Sequence, residues 1–237
     1  MNQTATAEAT VGQLVAEKPS RSRVFEKLGI DYCCGGKIPL SEACAKKNLD
    51  PGTVLAMLEA TEGGAASVQD QDPAGMTLTQ LCTHIVEVHH DYLREELPRI
   101  EHLAQKVAKT HGGKWTWTVE LAEVFGGLQE ELTQHMMKEE RVLFPSICDL
   151  EAGRTPRTAC GNHLHGPISV MEDEHDSAGR ALARMSELSN HYQAPEGACN
   201  TFRALLDALA FLEKDLHQHI HKENNILFPK AMERFCS

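Results

Sequence analysis

Between Leu121 and Leu132 the apolar residues Leu121, Val124, Phe125, Leu128 and Leu132 recur every three or four positions, with polar residues between them. That period lines one face of a helix. The same rhythm predicts four long helices, over 77–104, 117–143, 167–190 and 198–228. Pro167 suits the first turn of the third, and Pro98 predicts a bend in the first. Pro145 and Pro229 lack an amide hydrogen and predict the ends of the second and fourth. Gly112-Gly113 and 150–166 read as connections. Helices of this length on short or medium loops predict an all-α fold, an up-down-up-down four-helix bundle whose interior is a usual place for a metal site.

Shorter patterns come first. Thr10 reads as the N-cap of a helix in VGQLVAE, a second helix starts on Ser20 and stops at Gly29, and PLSEACAKKNL and DPGTVLAMLEA follow. Pro51, after Asp50, fits a first helical position. Leu14, Val24, Phe25, Leu28, Leu40, Val54, Leu55 and Leu58 supply a core that is small for an independent unit. The stretch EGGAASVQDQDPAG has the composition of a linker. The expected organisation is a small helical N-terminal domain over 1–61, a linker over 62–75, and the bundle over 76–237.

A formal net charge of −11 argues against nucleic-acid binding, because phosphate contact needs clustered Lys and Arg. No apolar run approaches the ~20 residues that span a bilayer. MNQTATAEAT lacks the basic start and apolar stretch of an export signal, so a cytoplasmic location is expected. In that setting the eight cysteines are expected as thiols. Cys44, Cys82, Cys148 and Cys199 stand singly in apolar surroundings and read as small buried side chains.

The 13 histidines change the picture, and so does a repeat. HMMKEERVLFP, His135 to Pro145, returns as HIHKENNILFP, His219 to Pro229, with six of eleven positions identical. Self-similarity of this kind marks a duplicated unit. On a helix, residues four apart share a face, so His135 projects with Glu139 and His219 with Glu223. His90 precedes His135 by 45 residues, and His175 precedes His219 by 44. Each half therefore offers one His from its first helix and a His-x-x-x-Glu from its second. Four imidazoles and two carboxylates, each able to bridge, make a complete donor set for two iron or manganese ions. Zinc is disfavoured, since its structural sites prefer a closed tetrahedron with Cys. His84, His89, His217 and His221 fall off the ligand face and read as solvated or supporting residues. Cys160, His163 and His165 in CGNHLHG form only a weak chelating pattern.

These residues carry a resemblance. HHDYLREELP (89–98), HMMKEERVLFP, GPISVMEDEHDSAG (166–179) and ENNILFP (223–229) resemble hemerythrin-like domains. With DYCCGGK (31–37) the whole chain is similar to the repair-of-iron-centres family, di-iron proteins that join such a bundle to a short domain with a Cys pair. The resemblance implies two Fe ions in an oxo-bridged centre, with His90, His135, His175 and His219 as ligands and Glu139 and Glu223 bridging. Oxygen-carrying hemerythrins have a further His at the position of Gly179, so this site is expected to be one ligand short, with open or water-filled positions. It also implies rebuilding of iron–sulfur clusters damaged by nitrosative or oxidative stress, by supplying iron. Iron–sulfur proteins are then the recipients, nitric oxide is a small-molecule ligand, and an oligomer is compatible. Two alternatives stand beside this reading, a protein that binds or reduces nitric oxide and an oxygen or iron sensor. The sensor ranks lowest, because the chain shows no output segment.

Cys33 and Cys34 stand side by side before Gly35 and Gly36. Adjacent cysteines bridge poorly, and such a bond is readily reduced. The glycines are expected to turn the backbone sharply and expose both thiols, and Lys37 to favour a thiolate. The pair reads as a thiol element that accepts or hands on iron, or exchanges redox equivalents with the bundle.

Overall fold

The computed structural model describes residues 5–60, 73–156 and 164–235. These residues are mainly helical and hold no strand, only an isolated bridge of Thr10 with Pro39. No helix among them is long and apolar enough to cross a membrane. The segment expected as a linker lies outside the described residues as far as 72, and Pro73–Gly75 forms a 3-10 turn. The chain divides into two compact units, one drawn from Met1–Leu81 with His217–Phe235, the other from Cys82–Leu216.

The first unit opens with four short helices, α1 (Val11–Glu17), α2 (Ser22–Leu28), α3 (Leu40–Lys46) and α4 (Pro51–Ala60). Their starts and stops are local chemistry. Thr10 and Gln13 cap α1 reciprocally, and Gly29 ends α2 at φ 62°, a left-handed turn that favours glycine. Asp50 Oδ2 accepts from Thr53 N at 2.7 Å at the start of α4. Val11, Leu14, Phe25, Leu40, Cys44, Val54 and Leu58 close over one another as the core, with Leu28 and Leu55 half-buried at its edge. The turn after α2 is fastened to the C-terminal stretch of the same unit. Asn225 Nδ2 donates to the carbonyls of Tyr32 and Cys33 at 3.3 and 3.0 Å, and His221 Nδ1 lies 3.3 Å from the Tyr32 carbonyl. The approach is close enough to demand glycine. A Cβ at Gly12 would meet Asn225 Oδ1 at 2.1 Å, and one at Gly36 would meet it at 2.6 Å.

The second unit holds the bundle body. After α5 (Leu78–Ile85) come α6 (Asp91–His111), α7 (Trp117–Lys138), α8 (Phe144–Glu151), α9 (His165–Leu188) and α10 (Asn200–Lys222), with α11 (Phe228–Phe235) ending the described chain. α6, α7, α9 and the part of α10 up to Leu216 are the four helices of an up-down-up-down bundle around one core. Their buried positions alternate three and four apart: Leu93, Leu97, Ile100, Ala104 and Val107 on α6, and Phe202, Leu205, Leu209, Leu212 and Leu216 on α10. A stripe averaging 3.5 residues is the seam of helices packed in a left-handed bundle.

Two prolines behave differently from the sequence expectation. α6 holds Pro98 within it, but the helical paths expected to end at Pro145 and Pro229 continue through them into α8 and α11. The reason is a wide turn just before each of the latter two. Glu139–Leu143 and Glu223–Leu227 are π-helical, closed by bonds from Phe144 N to the Glu139 carbonyl and from Phe228 N to the Glu223 carbonyl. The next residue is the proline, and the widened turn accommodates a position without an amide donor.

Two substitutions test these packing statements. Leu212→Ala, at a fully buried seam position, should lower stability by about 2–5 kcal/mol in denaturant unfolding. Gly12→Ala should push the Asn225 amide off the Tyr32 and Cys33 carbonyls. Hydrogen exchange across 30–36 should then quicken while the bundle amides keep wild-type protection; unchanged exchange there would contradict the clasp.

Candidate metal centre

The seam of each bundle helix ends in a polar side chain where leucine would continue it. His90 precedes Leu93 by three residues, His135 follows Leu132 by three, and His175 lies between Met171 and Ala178 on α9. All three imidazoles are buried. They face inward because they occupy core positions of the heptad pattern, not despite it. Two of the wide turns set their neighbours: the π-helical turn Val86–His90 ends on His90, and Glu139–Leu143 begins on Glu139. Such a turn adds a residue to the helix and re-aims the side chains beyond it, a device common at functional sites.

In the second unit the donors converge. Glu139 Oε2 lies 3.3 Å from His90 Nε2 and 3.3 Å from His135 Nε2, and His175 Nε2 lies 3.1 Å from His135 Nε2. Imidazole nitrogens bind first-row ions at about 2.0–2.1 Å, so neighbouring donors on one ion stand roughly 3 Å apart. In the first unit His219 Nε2 is 3.0 Å from Glu223 Oε1, with both residues buried and Glu223 at the head of the third π-helical turn.

The outer nitrogens of two imidazoles are held by carboxylates that the sequence reading missed. His90 Nδ1 is 2.6 Å from Glu140 Oε1, which Arg94 also contacts. His135 Nδ1 is 2.9 Å from Glu174 Oε2, whose other oxygen takes Lys138. Burial alone would raise Glu140, but hydrogen bonds from His90 and Arg94 outweigh it and hold the carboxyl below its usual range. The bond from His135, partly opposed by burial and joined by Lys138, lowers Glu174 to about 2. Ionised carboxylates only accept hydrogen bonds, so His90 and His135 each donate Nδ1–H outward. In the neutral ring Nε2 is then a lone pair, aimed at Glu139.

This makes a fit test for a metal. Glu139 is fully buried, and neither of its oxygens accepts a hydrogen bond among the described residues. A buried carboxylate without donors, facing imidazole lone pairs, is a collection of acceptors with a large desolvation cost. A cation satisfies all of them at once. The donor set of nitrogen and carboxylate oxygen suits iron or manganese.

The structure thus gathers His90, His135, Glu139 and His175 within one unit and pairs His219 with Glu223 in the other. The residues set aside as non-ligands are more buried than expected. His89 is 1% exposed and its Nδ1 sits 2.9 Å from Asp215 Oδ1, which makes it a core residue. His221, also buried, serves the clasp on Tyr32, and burial lowers its pKa to about 4. Of the CGNHLHG group, Cys160 and His163 lie outside the described residues, and His165 is exposed at the start of α9. Cys44 and Cys82 are buried as expected, Cys148 is half-buried, and Cys199 is exposed, 3.3 Å from His111 Nε2. Cys199 stands just before the first turn of α10, outside the buried seam.

The Cys pair departs from expectation in one respect. Cys33 is buried and only Cys34 is partly open. Asp31 explains the turn: its Oδ1 accepts from Cys33 N and Cys34 N at 2.9 and 3.1 Å, and its Oδ2 from Gly35 N at 2.9 Å. The Cys33 thiol donates to the same Oδ1 at 3.1 Å and lies 3.8 Å from Cys34 Sγ. Its hydrogen bond with Cys34, its burial and the adjacent Asp31 push this thiol well up, the opposite of an activated thiolate. The sequence signal for Asp31 was its spacing, an Asp two to four residues ahead of the amides it caps.

The chain is similar to known proteins over nearly its whole length. The family model described as the hemerythrin HHE cation binding domain matches residues 82–231, and ScdA_N, a domain of unknown function, matches residues 7–62. The iron-sulfur cluster repair protein YtfE of Yersinia pseudotuberculosis serotype IB (strain PB1/+) is 40% identical over 225 residues, covering 94% of this chain and 96% of that protein. The protein of the same name from Yersinia pestis (strain Pestoides F) is also 40% identical over 225 residues, with the same coverage.

Glu139→Gln separates metal binding from stability. It should bind metal much more weakly, read as metal content after gel filtration, because the charged carboxylate is gone. The metal-free variant should be more stable than metal-free wild type by about 1–4 kcal/mol, since an uncompensated buried charge has been removed. A metal-free variant less stable than wild type would contradict the acceptor-only pocket.

Proposed function

This chain belongs to the family of hemerythrin-domain proteins that includes the iron-sulfur cluster repair proteins, and we propose that it too takes part in rebuilding iron–sulfur clusters. The metal would be a pair of irons. His90, His135, His175, His219, Glu139 and Glu223 would hold it. The observation that carries this reading is the convergence of His90 and His135 on Glu139, a buried carboxylate with no hydrogen bond of its own, with His175 beside His135.

The protein side of the chemistry is preparation and release. Glu140 and Glu174 fix the ring orientation of His90 and His135, so the Nε2 lone pairs are set before metal arrives. The bound irons supply Lewis-acid and one-electron chemistry. Gly179, one turn after His175, adds no donor to the six residues that would hold the irons. A donor set of this size would suit a metal that is given up to a recipient iron–sulfur protein or that takes a small diatomic such as nitric oxide. Cys33 and Cys34 act as the thiol transfer or redox element, and the cytoplasm, where such thiols stay reduced, is the setting. A second reading, turnover of nitric oxide, draws on the same residues. It differs in its product, nitrous oxide, from reduced protein alone.

The test is repair itself. Iron-loaded wild type incubated with a cluster-damaged dehydratase should restore its activity. Cys33→Ser combined with Cys34→Ser should keep wild-type iron content and restore activity several-fold more slowly at matched iron loading. Repair at the wild-type rate would remove the thiols from the mechanism, and no repair by wild type would remove the function.

A further inference from the structure

The two cysteines of the pair are not equivalent. Cys33 is 4% exposed and fixed on both sides of its backbone, with its amide bonded to Asp31 and its carbonyl to Asn225. Its thiol is turned toward the Asp31 carboxylate at 3.1 Å. Cys34 is partly open to solvent, and Asp31 reaches its amide, with the Cys33 and Cys34 sulfurs 3.8 Å apart. A thiol turned onto a carboxylate and out of water is hard for a reagent to reach, while a neighbour open to solvent can be approached. The sulfur separation sets the second atom close to contact with the first, near the distance from which an intramolecular displacement proceeds.

We propose that Cys33 and Cys34 form a dithiol site for low-molecular-weight disulfides, in which Cys34 is the attacking thiol, Cys33 the resolving thiol, and Asp31 the positioning residue that holds Cys33 in reserve. This rests on the reading of the pair as a redox element and assigns it a substrate class and an order of events. The Cys34 thiolate attacks one sulfur of the substrate disulfide, the S–S bond breaks, and the first thiolate leaves and takes a proton from water. The mixed disulfide sits beside the Cys33 thiol. Cys33 Sγ then attacks Cys34 Sγ, its proton passes to the second departing thiolate, and a Cys33–Cys34 disulfide forms. The two cysteine sulfurs each give up one electron, and the substrate disulfide becomes two thiols. Adjacent Cα atoms are about 3.8 Å apart, below the usual disulfide span, so the product bond is strained and easily reduced again. Asp31 does not activate the attacking thiol: its carboxylate takes the Cys33 thiol and reaches Cys34 only at the amide. Its part is selectivity: it keeps the resolving thiol from reacting first.

Limited iodoacetamide labelling of the reduced, iron-loaded full chain, with peptide mapping, tests the order without any variant. Cys34 should be alkylated at least roughly tenfold faster than Cys33. Oxidised glutathione should then convert the wild-type Cys33–Cys34 peptide to the form two hydrogens lighter, with no lasting adduct. Cys33→Ser should keep glutathione on Cys34, and Cys34→Ser should take up little at Cys33. Asp31→Asn still offers an acceptor to the amides of Cys33 and Cys34 but no charge. It should narrow the labelling gap and move the pH profile of Cys33 alkylation to lower pH, a change that a purely structural role would not produce. Equal or faster labelling of Cys33 overturns the proposal, as does adduct formation at Cys33 in Cys34→Ser at the rate seen at Cys34. These readouts involve no cluster. Ordered labelling beside unimpaired repair by the double serine variant would sink the role in repair and leave the order standing; scrambled labelling beside impaired repair would do the reverse.

Discussion

One buried carboxylate organises the bundle's interior. Glu139 has no exposed surface and no hydrogen-bond donor among the described residues, yet two imidazole nitrogens lie 3.3 Å from one of its oxygens. Left alone, that charge would cost several kcal/mol. Everything around it is arranged so that the compensating charge has to be a cation. Glu140 and Glu174 draw the Nδ1 protons of His90 and His135 outward, and Arg94 and Lys138 neutralise those outer carboxylates from the surface side. The lone pairs are left facing in. Fixing an imidazole tautomer through its far nitrogen is how proteins preorganise metal ligands.

The helices that carry these residues bend a rule to do so. A regular 3.5-residue seam would keep leucines coming, and along most of α6, α7, α9 and α10 it does. At the ligand end, three π-helical turns interrupt the regular path, each beginning or ending on a residue of the proposed donor set: His90, Glu139 and Glu223. Such turns are less stable than α-helix and persist where tertiary packing holds them. Pro145 and Pro229 belong to the same device. Each follows the residue that closes the wide turn and disfavours a return to regular α-helical bonding at that point.

The two copies of the repeat diverge where their surroundings do. The Glu140 that steadies His90 is replaced in the second copy by Asn224, and the exposed Arg141 by Asn225. Asn225 holds the carbonyls of Tyr32 and Cys33, which seats the cysteine turn on the C-terminal stretch of its own unit. A duplication that began with equivalent halves has kept the inner donors the same and given the flanking positions separate tasks.

How much of this was legible is a question of range. Helix periodicity, the cap at Thr10 and the repeat are local, and the sequence by itself determined an all-α chain with a bundle and a small helical N-terminal region. The i, i+4 spacing also put His135 with Glu139 and His219 with Glu223 on shared helix faces, though it left the buried His89 and His221 off the inward face. Partners across helices are another matter. Glu140 follows Glu139 in the chain but projects about 100° away from it, and only packing brings it to His90, fifty residues earlier. Glu174 precedes His175 yet serves His135. The burial of Cys33 and His221 likewise came from a contact between segments nearly two hundred residues apart. The π-helical turns fall between these cases: the prolines were visible, but a proline ends most helices, and only the tertiary structure could hold the wider turn that lets these continue. Local geometry could pair His with Glu along one helix; the contacts that hold their far nitrogens and bury Cys33 were decided by the fold, because those depend on distances no spacing along the chain can fix.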